Sequence, residues 1–235
     1  MSRCKFAIFI DSMLFITMLA ALAMIFFYAP IESEMGIVQK IFYVHVPLAW
    51  NAFLGFAMVF YYSFRYLSTR NPRYDRRALS AAEVGVLFTT LVLITGPIWA
   101  KPVWGIWWTW DARLTLTLVL WLIYVGYLML RRYIESPERR AVLAAVVGIT
   151  GFIDVPLVYF AIRWWRTQHP QPVIAGGEDS GLDPAMAATL WVSVAAFTFL
   201  FLALFGRRLD VEVERSRRET ERDAAEAAHA QGVRT

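Results

Sequence analysis

Four tryptophans lie within residues 104–110, and this stretch holds the densest group of side chains suited to ligand binding. It reads Trp-Gly-Ile-Trp-Trp-Thr-Trp and is followed directly by Asp111, Ala112 and Arg113. An indole ring offers a flat apolar face and one N–H donor. The neighbouring carboxylate and guanidinium add opposite charges beside the rings. These residue types at this spacing predict a surface for a flat, apolar ligand with charged groups at its edge.

The three histidines are the second feature that suggests chemistry. His45 lies near the start of an apolar segment, His169 follows Trp164 and Trp165 in a polar loop, and His229 lies in a charged stretch. A neutral imidazole can ligate a metal through one nitrogen while an acceptor orients the other nitrogen. A lone histidine is more often only hydrogen-bonded between helices, so neither residue decides the question by itself. Two imidazoles beside an aromatic surface are, however, the ligand set of six-coordinate haem.

Haem therefore fits the combined pattern, with His45 and His169 on the two faces of the iron and the indoles against the macrocycle. Arginine is suited to bidentate contact with carboxylates such as the haem propionates. The cations expected near the propionates are Lys101, Arg113, Arg163 and Arg166. With Cys4 as its one cysteine, the sequence contains no Cys-x-x-Cys-His motif, so haem would bind without a thioether link to this chain.

Membrane-spanning helices are the elements that must position these residues. Of the 235 residues, 58% are hydrophobic and 16% aromatic, and the mean hydropathy of +0.48 lies above the usual range of soluble proteins. About 20 apolar residues are needed for a helix to cross the hydrocarbon core. Six segments qualify, namely residues 6–28, 42–66, 79–98, 114–130, 141–162 and 185–205. The predicted fold is an all-α membrane protein, a bundle of six transmembrane helices with an external tryptophan-rich loop. Residues 1–206 form the membrane domain, and residues 207–235 form a charged, partly helical cytoplasmic tail.

The distribution of Lys and Arg predicts the orientation in the membrane. With a cytoplasmic N-terminus, 18 of the 23 cations lie on the cytoplasmic side, and five lie outside. By the positive-inside rule, both termini are cytoplasmic and the tryptophan loop is external. The same distribution accounts for the net charge of +4 without nucleic-acid binding. An interfacial aromatic belt is the structural alternative for the tryptophans, but a belt is expected at both interfaces, whereas nine of the ten tryptophans fall toward the outside.

The residues flanking the loop give two local expectations. Pro97 and Pro102 predict that the third helix ends before the tryptophans. If residues 104–110 form a short helix, positions 104, 107, 108 and 111 share one face. Asp111 also has the residue type and position expected for the N-cap of the fourth helix.

The sequence resembles the CcmC family of haem-handling proteins of bacterial cytochrome c maturation, within the wider tryptophan-rich WWD family that includes CcmF and CcsA. The resemblance covers residues 1–206. It is carried by residues 104–115, by Tyr-Val-His-Val-Pro at 43–47, and by Trp-Trp-x-Thr-Gln-His at 164–169. The long tryptophan motif is highly specific, whereas each histidine motif alone is weak. Six spans and two outward histidines favour CcmC over its longer relatives.

This resemblance implies that haem b binds non-covalently at the periplasmic face of the bacterial inner membrane, with His45 and His169 as axial ligands. The residues implied to form the haem site are His45, Trp104, Trp107, Trp108, Trp110, Asp111, Arg113, Trp164, Trp165, Arg166 and His169. The resemblance also implies that the vinyl edge of haem is presented for covalent attachment to the periplasmic chaperone CcmE. CcmD and the ABC transporter subunits CcmA and CcmB are the implied partners. Such a protein is a haem transfer factor rather than a conventional enzyme.

A haem-exporting permease is the alternative function. Asp154, beside Pro156 in the fifth segment, is an ionisable group within the membrane and therefore a candidate for a transport path. Transporters of this kind often contain inverted repeats and paired interrupted helices, and neither is visible in the sequence. A structural subunit that its tryptophans merely anchor is a third interpretation.

Overall fold

Seven α-helices form the computed structural model, which describes residues 3–165 and 182–232. They are α1 (Arg3–Ala23), α2 (Phe42–Thr69), α3 (Pro72–Trp104), α4 (Ala112–Tyr133), α5 (Pro137–Gly151), α6 (Asp154–Trp164) and α7 (Pro184–Gly232). A π-helical turn (Met24–Tyr28) extends α1, and a 3-10 helix (Ile37–Ile41) leads into α2. Within the described residues, six helical segments are long and apolar enough to cross a membrane, with α5 and α6 together making one of them. The predicted all-α fold with six membrane-capable helices is confirmed.

The connections between helices carry local signals that start the next helix. Asn71 precedes α3, and its side-chain oxygen accepts the Arg73 N–H at 3.1 Å. Pro72 follows at the first helical position, where its missing N–H has no helical partner to lose. Ser136 and Pro137 repeat this arrangement at the start of α5. Short capped connections of this kind make successive spans antiparallel.

The bundle therefore has two chemically different ends. The tryptophan end contains the starts of α2, α4 and α7 and the ends of α3 and α6. Among the described residues, the opposite arginine end contains three interhelical ion pairs, one of which joins Arg207 of α7 to Asp11 of α1. Arg131 of α4 donates two 2.6 Å hydrogen bonds to the Asp75 carboxylate of α3, and Arg208 of α7 pairs with Glu83 of α3. These contacts fix α4 and α7 to α3.

The central contact of the bundle joins α2 to α3 through two glycines. A Cβ atom added to Gly55 would lie 3.1 Å from the Gly85 Cα and 3.1 Å from the Phe201 ring. A Cβ atom added to Gly85 would lie 2.9 Å from the Phe56 ring. Small residues allow membrane helices to approach this closely. Phe56 also stacks on Tyr124 of α4 with ring centroids 3.9 Å apart, which joins α4 to the central pair.

The prediction that Pro97 and Pro102 end the third helix is wrong, because α3 continues through both to Trp104. Each proline removes one backbone donor, but transmembrane helices tolerate this where neighbouring groups satisfy the freed carbonyl. The helix ends instead at Gly105, whose φ of 77° lies in the left-handed region that favours glycine. The Gly105 N–H closes the last turn on the Lys101 carbonyl at 3.0 Å.

The fifth span is divided into α5 and α6 at Phe152 and Ile153. Pro156 lies in the first turn of α6, where a proline is tolerated. Asp154 starts α6 and is only 7% exposed. Its Oδ2 atom has no hydrogen-bond partner among the described residues.

Candidate functional site

The loop between α3 and α4 is irregular rather than helical, with bends at residues 105 and 107. The expectation that Trp104, Trp107, Trp108 and Asp111 share one helical face is therefore wrong, since only Trp104 is helical and it ends α3. The left-handed Gly105 stops the helix, and the tryptophans, isoleucine and threonine that follow are weaker helix formers than alanine or leucine. The loop instead presents its side chains in different directions.

The predicted N-cap of α4 is confirmed. Asp111 Oδ1 accepts the backbone N–H groups of Arg113 at 2.9 Å and Leu114 at 3.1 Å. Its Oδ2 accepts the Thr109 hydroxyl at 2.7 Å. One carboxylate thereby joins the end of the loop to the first turn of α4, which fixes the position of Arg113.

A cavity opens at the tryptophan end between α2, α3, α4 and α6. It comprises about 770 Å³ of empty space, which includes the open solvent at its mouth. Most of its wall is aliphatic or aromatic. Its lining residues with polar side-chain atoms are His45, Thr89, Trp99, Trp104, Trp108, Arg113 and Thr117. An apolar cavity with a few convergent polar groups is the usual form of a small-molecule site.

The structure separates the tryptophans of the loop into two groups. Trp104 and Trp108 line the cavity. Trp107 and Trp110 are 57% and 75% exposed and lie outside the cavity wall. Trp108 and Trp110 nevertheless remain in edge-to-face contact, with ring centroids 5.7 Å apart. This contact joins one outer indole, that of Trp110, to the wall of the cavity.

His45 projects from α2 into this cavity and is only 7% exposed. Its Nδ1 lies 2.8 Å from the Thr95 hydroxyl oxygen of α3. Trp99 packs edge-on against the imidazole, with ring centroids 5.8 Å apart. A Cβ atom on Gly96 would lie 3.4 Å from His45 Cε1, so the absence of a side chain at residue 96 leaves room beside the ring.

Three buried donors at the cavity wall have no hydrogen-bond partner among the described residues. They are Arg113 Nη1, Trp108 Nε1 and Trp99 Nε1. Buried polar groups in folded proteins are nearly always hydrogen-bonded, and an unpaired buried donor is costly. Three such donors around one cavity favour an anionic or hydrogen-bond-accepting ligand.

The remaining sequence-predicted residues lie outside this cavity or beyond the described ranges. Trp164 and Trp165 end α6 and are more than half exposed; Trp164 stacks on Phe160. His169 and Arg166 lie outside the described residues. Thr95, which contacts His45, was not predicted as a site residue.

The cavity-lining residues Thr89, Gly96, Trp99 and Thr117 were not predicted either. None of these residues belongs to the tryptophan or histidine motifs that identified the site from the sequence. Only the rotation of α3 and α4 about their axes brings their side chains to the cavity. The spacing of Thr95, Gly96 and Trp99 over one helical turn is the signal that identifies them as one face.

Comparison with known proteins gives the family. A model of the heme exporter protein C family, CcmC, matches residues 3–224. The chain belongs to this family. The heme exporter protein C of Bradyrhizobium diazoefficiens is 38% identical over 189 residues, which are 80% of this chain and 72% of that protein. The heme exporter protein C of Rhodobacter capsulatus is 36% identical, with 86% of this chain and 84% of that protein covered.

A mitochondrial relative in Arabidopsis thaliana, a putative cytochrome c biosynthesis ccmC-like protein, is 34% identical over 87% of this chain and 77% of its own length. The resemblance predicted from the tryptophan and histidine motifs is thereby confirmed. This member of the heme exporter protein C family is a multi-pass membrane protein with six membrane-capable helices among its described residues. Its tryptophan motif is divided between the wall of the cavity and the exposed rim.

Proposed function

We propose that this protein binds haem in the cavity at the tryptophan end and presents it for covalent attachment to the chaperone CcmE during c-type cytochrome maturation. The observation that carries the proposal is the convergence of His45, Trp104, Trp108 and Arg113 on one apolar cavity. Membership of the heme exporter protein C family supports the choice of haem over other flat ligands.

The residues present fit the chemistry of haem b bound without a covalent link. The aliphatic and aromatic wall suits the macrocycle, and the indoles of Trp104 and Trp108 supply flat contact surfaces. His45 supplies an imidazole for one face of the iron. The unpaired Arg113 Nη1 and Trp108 Nε1 supply donors of the kind a propionate accepts.

The second half of the site is assigned from the sequence and the family resemblance. His169 is the proposed ligand of the other iron face, and Arg166 is a proposed propionate contact. Trp107, Trp110, Trp164 and Trp165 form the proposed outer part of the aromatic surface, and Asp111 holds the loop in place. Haem supplies the reactive vinyl group, while this chain binds and orients it as a transfer factor rather than a conventional enzyme.

The proposed orientation places the cavity at the periplasmic face of the bacterial inner membrane and both termini in the cytoplasm. The Lys and Arg distribution supports this, since the connections at residues 70–77 and 131–140 of the arginine end are rich in arginine. CcmD and the ABC transporter subunits CcmA and CcmB are the proposed membrane partners, by resemblance to the family.

Haem titration of the purified protein tests the proposal. The wild-type protein should give a low-spin bis-histidine absorption spectrum. His45→Ala and His169→Ala should each abolish that spectrum, whereas His229→Ala, in the last turns of α7, serves as the matched histidine control. An unchanged spectrum after replacement of both His45 and His169 would exclude the ligand assignment.

One observation favours the alternative of a haem-exporting permease, namely the divided α5–α6 span with buried Asp154 at its break. Discontinuous helices form substrate sites in many transporters. Sealed vesicles that contain the protein, with the chaperone and haem supplied from outside, separate the two functions. Haem transfer from the outside supports presentation, whereas strict dependence on haem inside the vesicle supports export by this chain.

A further inference from the structure

The Thr95 hydroxyl takes part in two short contacts at once. Its oxygen lies 2.8 Å from the Leu91 carbonyl of its own helix and 2.8 Å from His45 Nδ1. A hydroxyl has one proton to donate and two lone pairs that accept. When the proton is directed to the Leu91 carbonyl, the contact with His45 requires the imidazole to donate.

This requirement selects one form of the neutral imidazole. With Nδ1 protonated, the lone pair of the ring lies on Nε2. The opposite arrangement, in which Thr95 donates to Nδ1, places the ring proton on Nε2 and leaves no lone pair there for a metal. The direction of a single hydrogen bond thus decides whether His45 can act as a ligand through Nε2.

We propose that Thr95 is a positioning residue that holds His45 in the Nδ1–H tautomer and thereby directs Nε2 to the haem iron. This inference rests on the proposed function, and it adds a residue that binds neither the iron nor the porphyrin. A hydrogen bond from the second nitrogen of a ligating histidine fixes the ring orientation and increases the basicity of the ligand.

Two other residues of α3 also help to orient the His45 imidazole. Trp99, four residues after Thr95, packs edge-on against the ring, and Gly96 leaves space at Cε1. One turn of α3 therefore supplies a hydrogen bond at Nδ1, an aromatic contact and a residue without a side chain beside Cε1. α2 thus supplies the proposed iron ligand, His45, and residues of α3 orient its imidazole ring.

The first test uses the ligand-free protein and needs no haem. Nitrogen chemical shifts of ¹⁵N-histidine-labelled protein report the tautomer, and the His45 signal is the one lost in His45→Ala. We expect the Nδ1–H tautomer in the wild type and in Thr95→Ser, and a mixture of tautomers in Thr95→Val. A predominant Nε2–H tautomer in the wild type would overturn the inference.

The second test measures haem affinity and reduction potential. Loss of an orienting partner typically lowers metal affinity about 10- to 100-fold, so we expect a loss of that size in Thr95→Val. The reduction potential should rise, because a less basic imidazole stabilises the oxidised iron less. Thr95→Ser should restore both values. Thr198→Val is the matched control, because Thr198 makes the same intrahelical bond, to the Val194 carbonyl at 2.7 Å, on α7 away from the cavity.

The outcomes separate this inference from the proposed function. If His45→Ala abolishes ligation but Thr95→Val retains wild-type affinity and potential, the role of Thr95 is refuted and the haem site stands. If His45→Ala leaves the haem spectrum unchanged, the ligand assignment itself fails. Should Thr95→Val not fold, the wild-type tautomer and the Thr95→Ser measurements still decide the question.

Discussion

Replacement of Arg113 by glutamine gives the sharpest test of the proposal that the cavity binds the propionates of haem. Arg113 lies in the first turn of α4, lines the cavity, and has its Nη1 atom buried without a hydrogen-bond partner among the described residues. A buried donor of this kind destabilises the ligand-free protein. Arg113→Gln should therefore leave the thermal unfolding temperature of the ligand-free protein unchanged or raise it.

The same substitution should weaken haem binding. A hydrogen bond to a charged group contributes about 1.5–3 kcal/mol, which corresponds to about a ten- to 150-fold change in Kd. The dimethyl ester of haem, which has no carboxylates, distinguishes this loss from a general change in the cavity. Wild-type protein should bind haem more tightly than the ester, and Arg113→Gln should reduce that preference by the same factor.

Titration by absorbance in detergent measures both constants for each variant. Arg132→Gln is the matched control, because Arg132 is an exposed arginine at the opposite end of the same helix. If the ratio of the Kd of the ester to the Kd of haem is equal in the wild type and in Arg113→Gln, the assignment of Arg113 to a propionate is refuted. A large fall in the unfolding temperature of ligand-free Arg113→Gln would show that the guanidinium is structural.

Three further predictions concern the framework around the cavity. Asp111→Ala removes the α4 cap and should destabilise the protein by about 1 kcal/mol in thermal unfolding, whereas Asp111→Asn keeps the acceptor and most of the stability; equal losses in both would contradict the capping role. Gly96→Leu fills the space beside the imidazole and should abolish haem binding in titrations without changing helix content, whereas Gly126→Leu, where no atom lies within 4 Å of an added Cβ, should bind normally. Arg131→Met leaves the Asp75 carboxylate without its bidentate partner and should lower stability by about 3–5 kcal/mol; wild-type unfolding behaviour would show that this ion pair contributes little.

The number of spans and the cap of α4 were predictable from the sequence, because both depend on local signals. Apolar length identifies each span, and an aspartate before an apolar run identifies the cap. The end of α3 was not predictable from Pro97 and Pro102. Proline stops helices reliably in water, but within a bundle the neighbouring helices can stabilise a helix that continues through it.

The composition of the site was predictable only in part. The orientation of the spans predicted that His45, Trp104, Trp108 and Arg113 lie at the same end of the bundle, and all four line the cavity. The separation of Trp107 and Trp110 from the cavity depends on the irregular path of the loop, which no periodicity of the sequence predicts. The contact of His45 with Thr95 joins residues fifty positions apart, and it depends on the rotation of α2 against α3.

The close approach of Gly55 and Gly85 determines that rotation and alignment. His45 precedes Gly55 by ten residues, and Thr95 follows Gly85 by ten residues. The two helices are antiparallel, and each rises about 1.5 Å per residue. His45 and Thr95 therefore both lie about 15 Å from the glycine contact, in the same direction along the bundle. The glycine contact therefore aligns α2 and α3 so that the His45 imidazole and the Thr95 hydroxyl lie at the same level along the bundle. Two glycines, each within about one helical turn of a cavity-lining residue, Ala52 or Thr89, thereby fix the position of His45 relative to Thr95.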